Sequence, residues 1–322
     1  MALTIDDLFA SPDHYLHSFE GDAALFVPMD RAAYHRSIFL DTRISPASSR
    51  SMKLPVSALT GHSAKGQATG WIFHVAHCGS TLLARALDHP DTNIVLREPF
   101  ALRQLGVEPD AARLRLVTAM LAKRYRAELP TIVKANVPVN FILPDLVASD
   151  TGARAIFLHL QLPDYLLAIL RNDKHREWMR RITTIMGRHL PDLAGRPDAE
   201  RAAALWLAQM RAFAGAIEKL PNGRSLDAET FFAEPARLVR LAAGHLGVPM
   251  TDEAIAEMVA GPLFATYSKN PELPFDNEAR VARRRELEEK LAPEIGQARD
   301  WVEKTAADAP AVTARIAGAA LA

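Results

Sequence analysis

The chain has 322 residues, of which 49% are hydrophobic, and its 38 basic side chains are matched by 38 acidic ones. A chain of this length can bury a full core, so we expect one large domain with accessory elements. Because the net charge is zero, no bulk electrostatic attraction to nucleic acid or to an anionic membrane is expected.

Three further features bear on location and chemistry. The N-terminus, MALTIDDLF, is acidic and lacks the positive start and long apolar segment of a signal peptide. No apolar run approaches the roughly 18 residues of a membrane span. We therefore expect a soluble, cytoplasmic protein. Cys78 is the one cysteine, which excludes an internal disulfide and a cysteine-rich metal site.

Residues 1–65 are predicted to form an N-terminal appendage that packs on the core. They carry apolar and aromatic side chains such as Leu8, Phe9 and Tyr15. The stretches 45–49 and 60–66 are small and polar, which indicates loops or a linker at the end of this region. A main domain is then predicted over residues 66–310, followed by an alanine-rich tail over 311–322.

In the main domain, short apolar strands alternate with amphipathic helices. Apolar residues on both faces of strands such as 154–160 are typical of a parallel sheet covered by helices on each side. The pattern predicts an α/β fold of three layers, with a central parallel sheet flanked by helices. The predicted strands lie near 71–76, 93–96, 131–135, 154–160 and 225–228, and the helices near 80–88, 110–128, 139–148, 163–171, 173–189, 198–220, 235–246, 251–259 and 277–291.

The first of these strands is followed by the segment most informative about function. In WIFHVAHCGSTLLARAL (71–87), an apolar strand ends in a tight loop and a helix begins at once. Backbone N–H groups at a helix start have no carbonyl partner, and the helix dipole favours negative charge there. Ser80 and Thr81 add hydroxyl donors, and His77 is a candidate positive charge. The predicted ligand is a phosphate or sulfate; in the alternative, Gly79 only makes the turn and Ser80 caps the helix.

The same loop lacks the marks of other phosphate-binding classes. A nucleotide-hydrolysing loop reads GxxxxGK[ST], but Ser80 follows Gly79 here, so the lysine is missing. The GxGxxG fingerprint is missing as well, because Gly79 stands alone. A nucleophilic Cys78 would need an arginine inside the loop, as in a phosphatase-like site, and residues 82–84 supply none. ATP and NAD enzymes are disfavoured, and a buried thiol without a role is the favoured interpretation of Cys78.

The loop resembles the 5′-phosphosulfate loop of the sulfotransferase superfamily, of the type [KR]-S-G-[ST]-[ST]. The likeness spans about residues 70–260 and includes further stretches in the family's order. These are Arg97-Glu98-Pro99, Val133-Lys134-Ala135-Asn136-Val137-Pro138, Pro163-Asp164, and Ala228 to Pro235 followed by Leu246-Gly247-Val248-Pro249. The resemblance implies a P-loop fold that uses 3′-phosphoadenosine-5′-phosphosulfate as the sulfuryl donor and needs no metal.

The resemblance also implies roles for particular residues in sulfuryl transfer to a hydroxyl or amine of a small-molecule acceptor. Glu98 would deprotonate the acceptor, while His77 and Lys134 would offset developing charge. The donor would be bound by His77, Cys78, Gly79, Ser80, Thr81, Arg171, Ser268 and Lys269. The alternatives remain open: a neutral His77 bonded to the backbone, a strand-end pair of Glu98 with Arg97, and a solvated Lys134.

Three positions depart from the family pattern. Gln161 and Ile169 stand where the family carries the arginine and serine that bind the donor's 3′-phosphate. Asn136 stands where cytosolic members carry a catalytic histidine, and an asparagine cannot accept the proton. A non-catalytic P-loop descendant that binds an anionic ligand is therefore an alternative. A kinase-type phosphoryl transferase is another, although the missing lysine argues against it.

Two other groups of residues are weaker candidates. His74 and His77 lie three apart across a strand-to-loop junction without a carboxylate cluster, so no metal site is predicted. The arginines between 280 and 285 alternate with glutamates, which favours a solvated helix face over a phosphate site.

Overall fold

The computed structural model describes residues 3–62, 68–89 and 91–321. Its strands are β1 (His14–Glu20), β2 (Ala23–Pro28), β3 (Met52–Pro55), β4 (Gly70–His74), β5 (Ile94–Arg97), β6 (Thr131–Lys134), β7 (Arg154–His159), β8 (Gly223–Asp227), β9 (Thr266–Tyr267) and β10 (Asn270–Pro274). Its helices are α1 (Ile5–Ala10), α2 (Arg31–Arg36), α3 (Val56–Thr60), α4 (Ser80–Ala86), α5 (Phe100–Val107), α6 (Ala111–Leu121), α7 (Leu143–Ser149), α8 (Leu162–Leu170), α9 (Asp173–Ile185), α10 (Asp198–Lys219), α11 (Ala228–Ala233), α12 (Pro235–Leu246), α13 (Asp252–Ala260), α14 (Pro262–Ala265), α15 (Asn277–Lys290), α16 (Ala292–Thr305) and α17 (Ala309–Gly318), with 3-10 helices at Val137–Ile142 and Gly187–His189.

The central element is a five-stranded parallel sheet in the order β5-β6-β4-β7-β8. Every residue of β4, β5 and β6 is buried, as expected for a sheet covered by helices on both faces. The predicted three-layer α/β fold is therefore confirmed, and β4 to β8 overlap the five predicted strands. After β4 the chain adds β5 and β6 on one side of this strand, and later adds β7 and β8 on its other side. The carboxyl end of β4 is therefore the switch point at which such folds bind ligands.

The N-terminal region forms an antiparallel sheet of β1, β2 and β3. Leu8, Phe9 and Tyr15 are buried and belong to the same hydrophobic core as the central sheet. The predicted boundary near residue 65 lies outside the described residues. At the other end, residues 311–322 belong in part to α17, and Leu321 donates from its backbone N–H to the carbonyl of Ser225 in β8 (2.8 Å).

One predicted helix ends earlier than its sequence pattern indicates. The expected helix at 110–128 ends at Leu121, because the chain turns and Lys123 points inward. Its ammonium donates to the carbonyls of Leu8 (3.0 Å) and His14, which joins this turn to the N-terminal region. Within the part of the chain that the structure describes, no helix has the length and apolar character needed to cross a bilayer.

Arg97, the last residue of β5, joins the N-terminal region to the sheet. Its side chain is 1% exposed and donates to Oδ2 of Asp88 at 2.5 Å. The guanidinium also donates to the carbonyls of Tyr34, His35, Ser37 and Ile38, at 2.6–3.2 Å. The backbone N–H of Leu40 donates to the Arg97 carbonyl at 2.7 Å. This cluster fixes the chain from residue 34 to residue 40 against the end of β5.

Replacing Arg97 should strongly destabilise the protein. Arg97→Ala leaves the buried Asp88 carboxylate without its main partner and four carbonyls without a donor, so the free energy of unfolding should fall by about 3–5 kcal/mol. Arg113→Ala, which removes a partly exposed arginine of the same region, should cost about 1 kcal/mol or less. Urea denaturation measures both, and equal losses would contradict the assigned role.

Lys123 should make stability depend on pH. Burial lowers the pKa of Lys123 from 10.5 to about 7, so the unfolded chain binds more protons between these values. The free energy of unfolding should therefore rise with pH across this window, with the full penalty present below about pH 7. Lys123→Met should flatten this slope, whereas Lys290→Met, at an exposed position, should leave it unchanged. Denaturation at a series of pH values tests this, and an unaltered slope in Lys123→Met would refute it.

Candidate functional site

The loop after β4 has an unusual backbone. Ala76 and His77 have φ angles of 71° and 52°, and Gly79 has a φ of 78°. Left-handed backbone costs free energy in residues other than glycine, and such strain concentrates at functional sites. The backbone N–H groups of Gly79, Thr81 and Leu82 make no hydrogen bond with any described residue. The loop therefore presents several free donors at the carboxyl edge of the sheet.

The two hydroxyl residues lie at the start of α4. Gly79, rather than Ser80, is the N-cap, and no side chain caps this helix, so the alternative role for Ser80 as a cap is wrong. Ser80 and Thr81 are 4% and 1% exposed. The Oγ1 atom of Thr81 has no hydrogen-bond partner among the described residues. A buried hydroxyl without a partner is unfavourable unless a ligand completes its hydrogen bonding.

The ring of Phe232, in α11, lies against Gly79. A Cβ atom at Gly79 would stand 2.8 Å from Cζ of Phe232, closer than carbon atoms approach without displacement. The guanidinium of Arg280 lies over the same ring, 4.3 Å from its centroid. Glycine is thus required at position 79 both by its φ angle and by the packing of Phe232.

Glu98 and Lys134 form a pair at the ends of β5 and β6. Glu98 has a φ of 57°, and its backbone N–H donates to the Lys134 carbonyl at 2.7 Å. The Lys134 side chain is 0% exposed and its ammonium donates to Oε1 of Glu98. Burial acts to raise the pKa of Glu98, but the charges of Lys134 and Lys269 outweigh it and hold the pKa below its ordinary value. Glu98 is therefore an ionised carboxylate paired with Lys134, not with Arg97.

The N-terminal region adds residues that the sequence did not suggest. Arg43 donates from Nε and Nη2 to the carboxylate of Asp41, at 2.9 and 2.5 Å. Its guanidinium lies 3.8 Å from the ring centroid of Phe39, and the Lys134 ammonium lies 5.7 Å from the same centroid. Arg43 is close enough to Glu98 to contribute to the lowering of its pKa. No local motif marks these residues, because they precede Glu98 by more than fifty positions.

The imidazole of His77 faces α9. It stacks on His175 with a centroid distance of 4.0 Å and contacts Trp178 edge-on at 5.4 Å. Burial, together with the charge of Lys269, lowers the pKa of His77 well below its ordinary value. The structure thus favours a neutral His77 that is held by ring contacts. It disfavours the protonated His77 that would offset charge on the donor.

His175, which stacks on His77, also contacts Arg171. Its Nδ1–H donates to the carbonyl of Ala168 at 2.7 Å, which leaves Nε2 to accept from Nη2 of Arg171 at 3.0 Å. Burial lowers the pKa of His175 to about 4, consistent with this neutral form. The imidazole therefore orients the Arg171 guanidinium while carrying no charge itself.

Lys269 lies in the turn of the β9–β10 hairpin. It is accessible to solvent, but the surrounding protein and the nearby Lys134 ammonium lower its pKa. The hairpin is tied to α4, because Nη1 of Arg85 donates to the Ser268 carbonyl at 3.0 Å. Among the described residues, Lys269, Arg171 and Arg283 have no carboxylate partner. The structure thus brings Lys269 close to the Glu98–Lys134 pair and keeps these three cations available.

The three residues that depart from the family pattern differ in burial and in hydrogen bonding. Ile169 is 0% exposed and lies in the hydrophobic core, so it contacts no ligand. Gln161 is the exposed N-cap of α8. Asn136 is 7% exposed, and its Oδ1 has no partner among the described residues.

Two arginines of α15 are engaged in ion pairs instead of forming a purely solvated face. Arg280 makes a bidentate pair with Glu229 at 2.8 and 2.9 Å. Arg284 pairs with Glu229 at 3.0 Å and with Asp164 at 2.5 Å. These contacts fix α15 beside α8 and α11 and leave Arg280 and Arg284 with carboxylate partners.

Cys78 is buried, and its thiol donates to the carbonyl of Leu158 at 3.8 Å. Burial raises the pKa of this thiol, so it is protonated and a poor nucleophile. This agrees with the favoured interpretation of Cys78 as a thiol without a chemical role. No group of three or more His, Cys, Asp or Glu side chains suited to a metal occurs in residues 3–62, 68–89 and 91–321.

No protein-family model matches the chain, and no curated protein matches it at a significant level. Among solved structures, it is similar to a sulfotransferase domain from the curacin biosynthetic pathway, with 13% identity and a TM-score of 0.41, over 59% of this chain and 77% of that one. It is also similar to a sulfotransferase from Alicyclobacillus acidocaldarius, with 15% identity and a TM-score of 0.39, over 74% and 96%. Likenesses this distant carry no argument about donor, acceptor or activity.

Gly79→Ala should destabilise the loop. The substitution places a side chain at a left-handed φ and against Phe232, so we expect a loss of about 1–2 kcal/mol in the free energy of unfolding. Adding Phe232→Leu should recover only the part of this loss that comes from the contact with the Phe232 ring, because the left-handed φ is unchanged. Gly61→Ala is the matched control, since nothing lies within 4 Å of a Cβ there and its φ is −81°. Denaturation measures all three, and a neutral Gly79→Ala would contradict this geometry.

Proposed function

We propose that the protein transfers a sulfuryl group from 3′-phosphoadenosine-5′-phosphosulfate to a hydroxyl or amine of an acceptor. The observation that carries this proposal is the pairing of the buried Lys134 with the half-buried Glu98, at the sheet edge that also carries the loop 75–81. A carboxylate beside an anion-binding loop can accept the acceptor's proton, and an ammonium there can offset charge on the departing phosphate.

The residues of the loop suit the phosphosulfate end of this donor. The free N–H groups of Gly79, Thr81 and Leu82 and the unpartnered Oγ1 of Thr81 are hydrogen-bond donors for anionic oxygens. Lys134 and Lys269 add positive charge. The lack of a lysine after Gly79 fits a ligand other than a magnesium nucleotide.

Arg171 and Arg283 suit the second phosphate of the donor. The two guanidinium groups are close enough for Arg283 to lower the pKa of Arg171, after the larger effect of burial. Neither has a carboxylate partner among the described residues. They would replace the contacts that Gln161 and Ile169 do not provide, because Ile169 is buried in the core.

Lys134 can act in two stages. In this structure its ammonium bonds to Glu98, which keeps the carboxylate ionised and weakly basic. An anion bound at the loop would attract Lys134 and weaken this bond, so the pKa of Glu98 would rise toward its ordinary value and its basicity would increase. Glu98 then accepts the proton as the acceptor oxygen or nitrogen bonds to sulfur, while Lys134 offsets the charge on the phosphate oxygen whose bond to sulfur breaks.

A non-catalytic protein that binds an anion at the same loop is the second candidate. The hydrogen-bonded state of Glu98 favours it, since a carboxylate that stays bonded to Lys134 is a poor base. Binding and turnover separate the two candidates, and tight binding of ATP–magnesium alone would instead favour a kinase-type activity.

Calorimetric titration with 3′-phosphoadenosine-5′-phosphate tests the donor site, with ATP–magnesium as comparison. We expect micromolar binding of the bisphosphate, weakened roughly ten- to hundred-fold in Ser80→Ala/Thr81→Val, which removes both hydroxyls but keeps the shape of Thr81. Thr305→Ala/Thr313→Ala, which removes two hydroxyls from α16 and α17, is the matched control and should bind normally. Lack of bisphosphate binding to the unaltered protein would overturn the donor assignment.

Glu98→Gln separates catalysis from binding. We expect the rate of sulfuryl transfer to fall about 10²- to 10⁴-fold, because the amide cannot accept the proton. Binding of the bisphosphate should not weaken, since Lys134 is then released toward the anion. A rate equal to that of the unaltered protein, measured with labelled donor, would exclude Glu98 as the base.

A further inference from the structure

We infer that Arg43 binds a negatively charged group of the acceptor, so that the preferred acceptors are hydroxyl or amine compounds carrying a carboxylate, sulfate or phosphate. This inference rests on the proposed function, because it concerns how the same candidate site binds the acceptor. It depends on the juxtaposition of Arg43, Phe39 and Asp41 with the Glu98–Lys134 pair.

Arg43 is held in one orientation by buried groups. Asp41, which is 6% exposed, accepts from Nε and Nη2, and the ring of Phe39, which is 5% exposed, lies under the guanidinium. The supporting chain is itself fixed, because Leu40 donates to Arg97 at 2.7 Å and accepts from Phe100 at 3.2 Å. An arginine ordered in this way loses little conformational entropy when it binds a ligand.

The guanidinium nevertheless has a free edge. Nη1 of Arg43 makes no hydrogen bond with the described residues, and the side chain is 57% exposed. Two N–H groups thus remain for a ligand, although Asp41 already occupies the other edge. A purely structural ion pair would need no exposed, unpartnered edge beside a candidate general base.

The charges around Glu98 favour an anion. Three cations, Arg43, Lys134 and Lys269, are close enough to lower the pKa of Glu98 against the effect of burial. Among the described residues, Asp41 adds a second carboxylate close to Glu98. Once Lys134 turns to the bound donor, Arg43 is the cation that the N-terminal region supplies close to Glu98. An acceptor with its own negative charge would there form a charge-assisted hydrogen bond with Nη1.

Matched pairs of acceptors test this inference. Sulfation is measured with labelled donor for 4-hydroxyphenylacetate and its methyl ester, and for tyrosine and tyrosine methyl ester. The acids should be preferred by the unaltered protein. Arg43→Gln should raise the KM of the acids roughly ten- to hundred-fold and leave the KM of the esters nearly unchanged.

Two controls separate acceptor binding from other effects. Arg113→Gln removes a guanidinium that also stacks on a phenylalanine (Phe19, 5.0 Å) and pairs with an aspartate (Asp22, 3.3 Å). Arg113 is not among the cations that lower the pKa of Glu98, so its loss should change neither KM. Arg43→Lys keeps the charge and should restore part of the preference for acids. If Arg43 acts only by lowering the pKa of Glu98, the pH profile of kcat shifts equally for acids and esters, and the inference is wrong.

The outcomes also separate this inference from the proposed function. Equal use of acids and esters, with normal bisphosphate binding, overturns the role of Arg43 and leaves the proposed function intact. If the bisphosphate binds but no compound is sulfated, calorimetry measures the binding of 4-hydroxyphenylacetate and of its methyl ester to the bisphosphate complex. The inference is overturned if the acid does not bind more tightly than the ester. If the bisphosphate does not bind, the proposed function fails first and the inference fails with it.

Discussion

The buried guanidinium of Arg97 is the interaction on which the candidate site depends. It bonds to Asp88 and to four carbonyls of residues 34–38. Asp88 has one further side-chain contact, with Nδ1 of His35 at 3.3 Å. Because an unpaired buried charge is costly, this segment has one favourable position beside β5. Residues 39–43 continue from that position to the edge of the sheet. A core interaction thereby determines which side chains border Glu98.

The same edge carries the backbone strain of the protein. The non-glycine residues with left-handed φ in the described chain are Ala76, His77 and Glu98, at the ends of β4 and β5. Strain of this kind persists only where surrounding contacts impose it. Here it directs loop N–H groups and the Glu98 carboxylate toward the same region. The strained backbone and the unpartnered donors therefore point independently to one location for ligand binding.

The charge of the site comes from lysine and arginine, not from histidine or cysteine. Burial lowers the pKa of His77 and His175 and raises that of the Cys78 thiol, so all three are neutral. Glu98 remains ionised because cations outweigh its desolvation. The neutral imidazoles serve to orient neighbours, as His175 does for Arg171. An anionic ligand would meet the positive charge of arginines such as Arg43 and Arg171, which stay protonated over a wide pH range.

The sequence by itself determined the parallel sheet and the strand–loop–helix order at residues 70–86, because apolar periodicity and loop composition are local properties. Glu98 and Lys134 became candidates through the resemblance to a family, and their roles stay predictions. The sequence pattern did not predict the helices α5, α16 and α17, whose positions depend on contacts with distant parts of the chain. The close approach of α5 to residue 138, where a Cβ on Gly106 would stand 2.6 Å from the Pro138 carbonyl carbon, is a long-range contact. Tertiary structure alone decided that His77 is neutral, that Glu98 pairs with Lys134, and that Arg43 lies close to Glu98. Each of these depends on burial and on charges brought together from distant parts of the chain, which no local pattern encodes.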